Sequence, residues 1–314
     1  MGSVSGTLMV LLPIVLLIGL GAVLRITRVL DEVGVDALKR LVVNVVLPAV
    51  LFQAFLAIDF QPEYLVIVVL VPALCLGLLA LGFATRRVVP GASEVTPFLF
   101  TGFEFGMLGL ALFTAAYGQA NVPIIGMVGL GHELFIWFIF VTLLRRKMER
   151  VVSTLETVRS FATSPVILAI AAGLLLNVLG LRETIADHTA GAAVLETIAW
   201  VAATIVPIIL LVVGHGTRLD RAGFRQAVPL VAARLVIVLG VALLVNALVI
   251  RTLLGLPPIV EAAIFTLLIL PPPFIVPIYL PRTRRDEATY ATNVLSLYTV
   301  VSVVAFIAWV TITA

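Results

Sequence analysis

Charge is scarce in this sequence: Asp, Glu, Lys and Arg make up 12% of its 314 residues, against about 25% in an ordinary soluble domain. Apolar residues reach 62% and the mean hydropathy is +1.22, which excludes a water-soluble globular chain. Cysteine is reduced to Cys75, inside an apolar run, so an intramolecular disulfide and a cysteine-based metal site are both excluded. Histidine numbers three. The string GHELFIW at 131–137 begins like a zinc-protease motif, but the second histidine that motif needs one turn later is Ile136. There is no glycine-rich phosphate loop and no Ser/His/Asp set, so neither an enzyme nor an ATP-driven pump is expected. The balance is basic, with a pI near 9.3. The basic residues are not clustered as a nucleic-acid patch would be, and nucleic acid is not an expected partner. The opening MGSVSGTLMV has no basic n-region and no small-residue cleavage site, so the first apolar run is expected to stay as a membrane helix.

Long apolar runs are what the chain has in abundance. A spanning helix needs about 20 mainly apolar residues. That length gives ten candidate spans, at 6–27, 36–57, 63–85, 94–117, 122–145, 164–180, 192–214, 226–250, 259–281 and 287–312. The expected fold is therefore an all-α polytopic membrane protein. Lys and Arg favour cytoplasmic loops, and 17 of the 20 lie in odd-numbered loops. Even-numbered loops hold only Arg182 and Arg251, and Arg234 falls inside span 8. A multi-pass protein of the cell (plasma or inner) membrane with both termini extracytoplasmic is expected.

The longest loop, 147–163, spaces Val151, Val152, Leu155, Val158 and Phe161 as an amphipathic helix on the cytoplasmic surface would. It divides the chain into a first five-helix repeat, 1–146, and a second, 164–314, of inverted orientation. Pro48 and Pro207 lie 159 residues apart, Pro72 and Pro229 157 apart, and Glu94–Phe98 matches Glu261–Phe265 at 167. Inverted-repeat transporters place broken helices at corresponding positions, with the substrate at the breaks. Span 9 contains LLILPPPFIVPIY (267–279), where Pro271, Pro272 and Pro273 remove three successive donors. Span 4 contains TGFEFGMLGLALF (101–113), with Gly102, Gly106 and Gly109. Those glycines also fit close helix packing. Second half-helices starting near Phe274 and near Gly106 are expected to aim free amides at the centre. The first halves should end there with unpaired carbonyls that favour cations.

Ionisable groups inside spans mark function by default. Four stand out as the proton- or ion-coupling set: Glu104 at the span 4 break, His132 and Glu133 in span 5, and Arg234 in span 8. A carboxylate set between desolvation and a cation is able to carry a proton. The structural alternative is a static ion pair of Arg234 with Glu104 or Glu133. Asn44, Gln53, Thr101, Asn293, Ser296, Tyr298 and Thr299 add polar groups that line a cavity or bond across helices.

At these residues the chain resembles the auxin efflux carrier family, whose bacterial members are described as organic-acid permeases. LKRLVVNVVLPAVLF (38–52) looks like that family's second span, and FGMLGLALF (105–113) like its span 4 crossover. PPPFIVPIY (271–279) is similar to its span 9 crossover, and TNVLSLYTVVSVV (292–304) to its last span. The resemblance implies ten transmembrane helices in two inverted five-helix repeats with broken crossover helices 4 and 9. That fold is shared in outline with bile-acid symporters and some sodium/proton antiporters. It also implies a support domain of spans 1, 2, 6 and 7, a moving domain of spans 3–5 and 8–10, and a homodimer. Substrate contacts are implied at Gly106, Gly109, Pro271, Pro272 and Pro273, with Asn44 and Pro48 facing them. Thr101, Gly102, Glu104, Phe105 and Asn293 complete the candidate substrate set. Two positions depart from the family pattern: Glu104 replaces an asparagine, and Ala111 a later proline. A carboxylate at the crossing repels an anion unless protonated or paired, which favours proton coupling or a zwitterionic or cationic substrate.

The expected function is secondary transport of a small, carboxylate-bearing organic solute by alternating access, with no cofactor beyond a coupling H+ or Na+. Two other readings stay open. One is a monovalent cation/proton antiporter of the same architecture, with Glu133 and Glu104 binding the ion. The other is a ligand-binding membrane sensor, against which the lack of a soluble output domain counts.

Overall fold

Inside lipid every backbone polar group must be bonded within the protein, so apolar runs of this length fold as helices. The computed structural model describes residues 4–58, 63–87, 93–148, 159, 162–216, 221–280 and 283–313, and every regular element among them is helical. Helix α1 (Val4–Ile26) leads to α2 (Glu32–Leu41), where Asp31 Oδ1 accepts the Gly34 N–H at 2.8 Å as an N-cap. A π-turn (Val42–Val46) joins α2 to α3 (Leu47–Leu56). Pro48 accounts for it: proline offers no N–H to the carbonyl four residues back, and the ladder widens just before it. Then come α4 (Glu63–Thr85), α5 (Thr96–Phe100), an irregular stretch at 101–104, a π-turn (Phe105–Gly109) and α6 (Leu110–Tyr117). Helix α7 (Val122–Phe135) runs through a π-turn (Ile136–Phe140) into α8 (Val141–Lys147).

The second half holds α9 (Pro165–Val178), α10 (Leu181–Asp187), α11 (Thr189–Ala203) and α12 (Ile205–Gly216). Next is α13 (Arg221–Leu244), continued by a π-helix (Val245–Leu253), then α14 (Pro258–Ile269). An irregular stretch and a 3-10 turn (Pro277–Tyr279) precede α15 (Arg285–Thr313). The expected second half-helix from Phe274 is therefore only a turn followed by a 3-10 turn, because Pro277 again withholds a donor. The amphipathic helix expected through Val151, Val152, Leu155, Val158 and Phe161 lies outside the described residues.

By length and composition, six described stretches can cross a membrane: Tyr64–Thr85, Thr96–Tyr117, Gln119–Lys147, Thr189–Gly216, Gly223–Leu253 and Arg285–Thr313. Pro165–Val178 with Leu181–Asp187 is a seventh if its 93° bend is counted as one span. The bend falls where Gly180 takes φ +65°, a left-handed residue ending a helix. The chain is a polytopic membrane protein. The other three expected spans are helical too: α1 runs 23 residues from Val4 to Ile26, α14 is a shorter apolar helix, and α2–α3 opens on Glu32, Asp36, Lys39 and Arg40.

The helices sort into two packed groups. In one, α1 lies on α12 and α3 lies on α9 and α11. The contact is backbone to backbone: a Cβ at Gly173 would strike Phe52 O, and one at Gly214 would strike Ile18 O. The other group holds α4 with α5 and α7, and α13 with α14 and α15. Helix α5 is buried throughout and α14 from Val260 onward, while Trp200 and Val236 on α11 and α13 face outward. The two short helices before the irregular stretches are thus sheathed by the rest.

Candidate functional site

Helix α5 stops where Thr101 turns extended and Gly102 takes φ +68°, a region glycine enters without steric cost. A Cβ on Gly102 would also lie 2.8 Å from Pro273 Cγ. Helix α14 stops because Leu270 precedes a proline and is driven to φ −63°, ψ 155°. The two breaks then cross and bond each other. The Glu104 N–H donates to Pro271 O at 2.9 Å, and the Phe274 N–H donates to Glu104 Oε2 at 2.6 Å.

Other groups stranded by the breaks are met by side chains. Arg234, fully buried, donates from Nη1 to Leu99 O at 3.0 Å and from Nη2 to Gly102 O at 2.8 Å and Leu270 O at 3.2 Å. The Phe103 N–H donates to His132 Nε2 at 2.9 Å, and Ser302 Oγ donates to Ile269 O at 2.7 Å. Thr101 Oγ1 donates to Cys75 O at 2.6 Å. A helix is broken inside the membrane here without leaving these groups bare, because side chains take the place of water.

The ion pair of Arg234 with Glu104 or Glu133 does not form; the guanidinium bonds carbonyls instead. His132 holds backbone: with Nε2 accepting, a neutral ring carries its proton on Nδ1. That nitrogen lies 3.5 Å from Glu133 Oε1 without a hydrogen bond. Glu133 Oε2 accepts from Trp137 Nε1 at 3.0 Å.

Beside the crossing lies a cavity of about 560 Å³, walled by both packed groups. Lys39, Val43, Leu47 and Leu51 from α2–α3, with Val212 and Val213 from α12, form one wall. Phe103 to Met107, His132, Glu133, Trp137, Pro273, Phe274, Ser296 and Thr299 form the other. The lining is mainly apolar with a few convergent polar groups, as small-molecule sites are.

Of the expected substrate residues, Glu104, Phe105, Gly106 and Pro273 line the cavity. The others are placed elsewhere. Asn44 is exposed and its Nδ2 donates to Arg40 O at 2.8 Å, while Pro48 sits on the same neighbouring face. Thr101, Gly102, Pro271 and Pro272 are buried within the crossing, and Gly109 faces Leu270. Asn293 packs on Gly223 at the start of α13. The wall residues Lys39, Val43, Leu47 and Leu51 were missed although they step by four, one position round the helix from Asn44 and Pro48. Nothing local tells which face meets the crossing. Trp137, one turn after Glu133, was legible as an i, i+4 partner.

Among the described residues, no group of three or more His, Cys, Asp or Glu side chains is placed to hold a metal ion. No protein-family model matches the chain, and no curated protein matches it.

Proposed function

We propose that the chain is a secondary transporter that moves a small carboxylate-bearing organic solute by alternating access, coupled to protons through Glu104. Its architecture would be that of the auxin efflux carriers it resembles. The observation that carries this reading is the Glu104 carboxylate, set where two broken helices cross and on the wall of a cavity between two helix groups. Broken backbone and ionisable groups are retained at membrane depth where they serve a substrate path.

The chemistry rests on one hydrogen bond. Ionised Glu104 takes the Phe274 N–H; protonation weakens that acceptor and releases the amide to the solute's carboxylate. One proton taken up offsets one negative charge admitted, so no uncompensated charge is buried.

Two ion pairs support ten spans in inverted halves. Glu94, at the foot of α5, pairs with Arg86 at 3.2 Å, and Glu261, in the first turn of α14, pairs with Arg251 at 2.6 Å. Each acid is held by an arginine from the end of the preceding span, and Pro72 and Pro229 lie inside α4 and α13. Lys39, Ser164, Gly216 and Thr292 carry the cavity towards the arginine-rich loops, which by the charge rule face the cytoplasm. The conformation is then inward-open with both termini outside. The group of α1–α3, α9, α11 and α12 is the fixed one, through which a homodimer forms.

The test begins with thermal stabilisation of purified protein by a panel of small carboxylates, amino acids and monovalent cations, in mild acid and at neutral pH. A solute at about 100 times its Kd adds roughly 2.7 kcal/mol, and that stabilisation should strengthen in acid. Uptake of the selected solute into proteoliposomes should then lose its pH dependence in Glu104→Gln. An unchanged rate and pH profile in that variant removes Glu104 from the mechanism. Proton movement driven by sodium or lithium, with no organic solute present, makes the protein an antiporter instead.

A further inference from the structure

The carbonyls at the crossing demand a positive charge. Helix α14 ends at Ile269 and α5 ends at Phe100, so two negative helix ends meet inside a sheath of apolar side chains. Leu99 O, Gly102 O and Leu270 O, from two segments far apart in sequence, converge on one point, and Gly102 needs its φ of +68° to join them. Three carbonyl oxygens at the ends of unwound helices are the ligand set that transporters offer to a coupling cation.

Here the point is filled by the chain itself. Arg234 comes from α13, has no accessible surface and forms no ion pair among the described residues. The aromatic faces of Phe103 and Tyr298 lie 5.2 and 4.7 Å from its guanidinium carbon, which adds cation–π attraction where water is excluded. A planar fork reaches carbonyls on two segments at once, which the point charge of lysine does not. Because the guanidinium is tethered to α13, this cation does not leave the site during a cycle.

We propose that Arg234 is a resident cation: its guanidinium permanently occupies the seat that the two broken helices build for a positive charge, so the crossing binds no sodium or other monovalent cation. The consequence for coupling rests on the transporter reading, but the seat is tested without transport. In that reading, Arg234 leaves the proton as the ion to be coupled.

The experiment is chemical rescue of stability. Purified full-length Arg234→Ala should melt lower than the natural protein by roughly 5–10 °C, from lost partners for buried carbonyls. Millimolar guanidinium should restore much of that loss saturably, whereas urea, its neutral isostere, should not. The natural protein should respond to neither, and exchanging sodium, lithium or choline should leave its melting temperature unchanged. Equal rescue by urea, or no loss in Arg234→Ala, overturns the proposal, as does saturable stabilisation of the natural protein by sodium. If Arg234→Ala yields no folded protein, Arg234→Lys and Arg234→Met are compared: the charged variant should be clearly the more stable, and parity between them also overturns it. These outcomes stand whether or not any solute is transported. A transport failure with intact guanidinium rescue therefore faults the functional reading alone.

Discussion

Gly102 does three things that another residue would undo together. Its φ of +68° turns the chain out of α5, its carbonyl meets Arg234, and its missing Cβ leaves room for Pro273. Gly102→Ala forces a left-handed alanine, at about 1–2 kcal/mol, and pushes on a proline ring that cannot rotate away. The expected loss is about 2–4 kcal/mol, with overpacking included, read as a lower melting temperature in detergent. Gly180→Ala is the control, because Gly180 has a nearly equal φ of +65° but open space around it. It should show the backbone cost alone, and equal losses at the two positions would remove Pro273 from the explanation. Glu104 shows the same economy: its N–H joins one break to the other and its carboxylate closes the loop back onto Phe274.

The elements are tied at their ends by charge. Glu94 lies 3.2 Å from Arg86, 3.5 Å from Arg284 and 3.7 Å from Lys147, gathering the ends of α4, α8 and α15 at the foot of α5. Burial works against its charge, but Lys147, Arg284 and Arg86 outweigh it and hold the carboxyl below its ordinary value. A carboxyl lowered by folding stabilises above its unfolded pKa and loses that contribution as pH falls through the lowered one. Glu94→Gln should therefore lower the melting temperature at neutral pH and leave it unmoved in acid. With the side chain 36% exposed, solvent limits the effect to about 1 kcal/mol. An equal loss in acid would assign it to packing. Element ends were also where sequence and structure parted: the prolines at 271–273 announce a break, while the shortness of the helical turn after them depends on Pro277 as well.

Across the whole molecule, the cavity is a property of two helix groups meeting, and its mouth is defined by residues from four separate helices or their ends. Thr292 lies on the wall, exposed, at the arginine-rich end. Because Cys75 is buried, Thr292→Cys offers a reporter with little background. A membrane-impermeant thiol reagent should modify it in inside-out vesicles and leave it unmodified in right-side-out ones, with saturating solute slowing the reaction. Modification from the outside only would invert the proposed orientation.

Residue order alone specifies the solvent of this chain and the places where its helices fail. Apolar run length sets membrane insertion, proline removes donors and glycine opens backbone angles; each of these acts within a few residues. Glu104, His132, Glu133 and Arg234 are equally legible, since an ionisable residue in an apolar run is conspicuous without any partner in view. What those residues contact is decided by packing. His132 and Arg234 turn to the backbone of segments 29 and 132 residues away, and Asn44 and Pro48 fall one step off the face that lines the cavity. Partner choice and facing direction come from contact between distant segments, and local chemistry carries no record of which segments those will be.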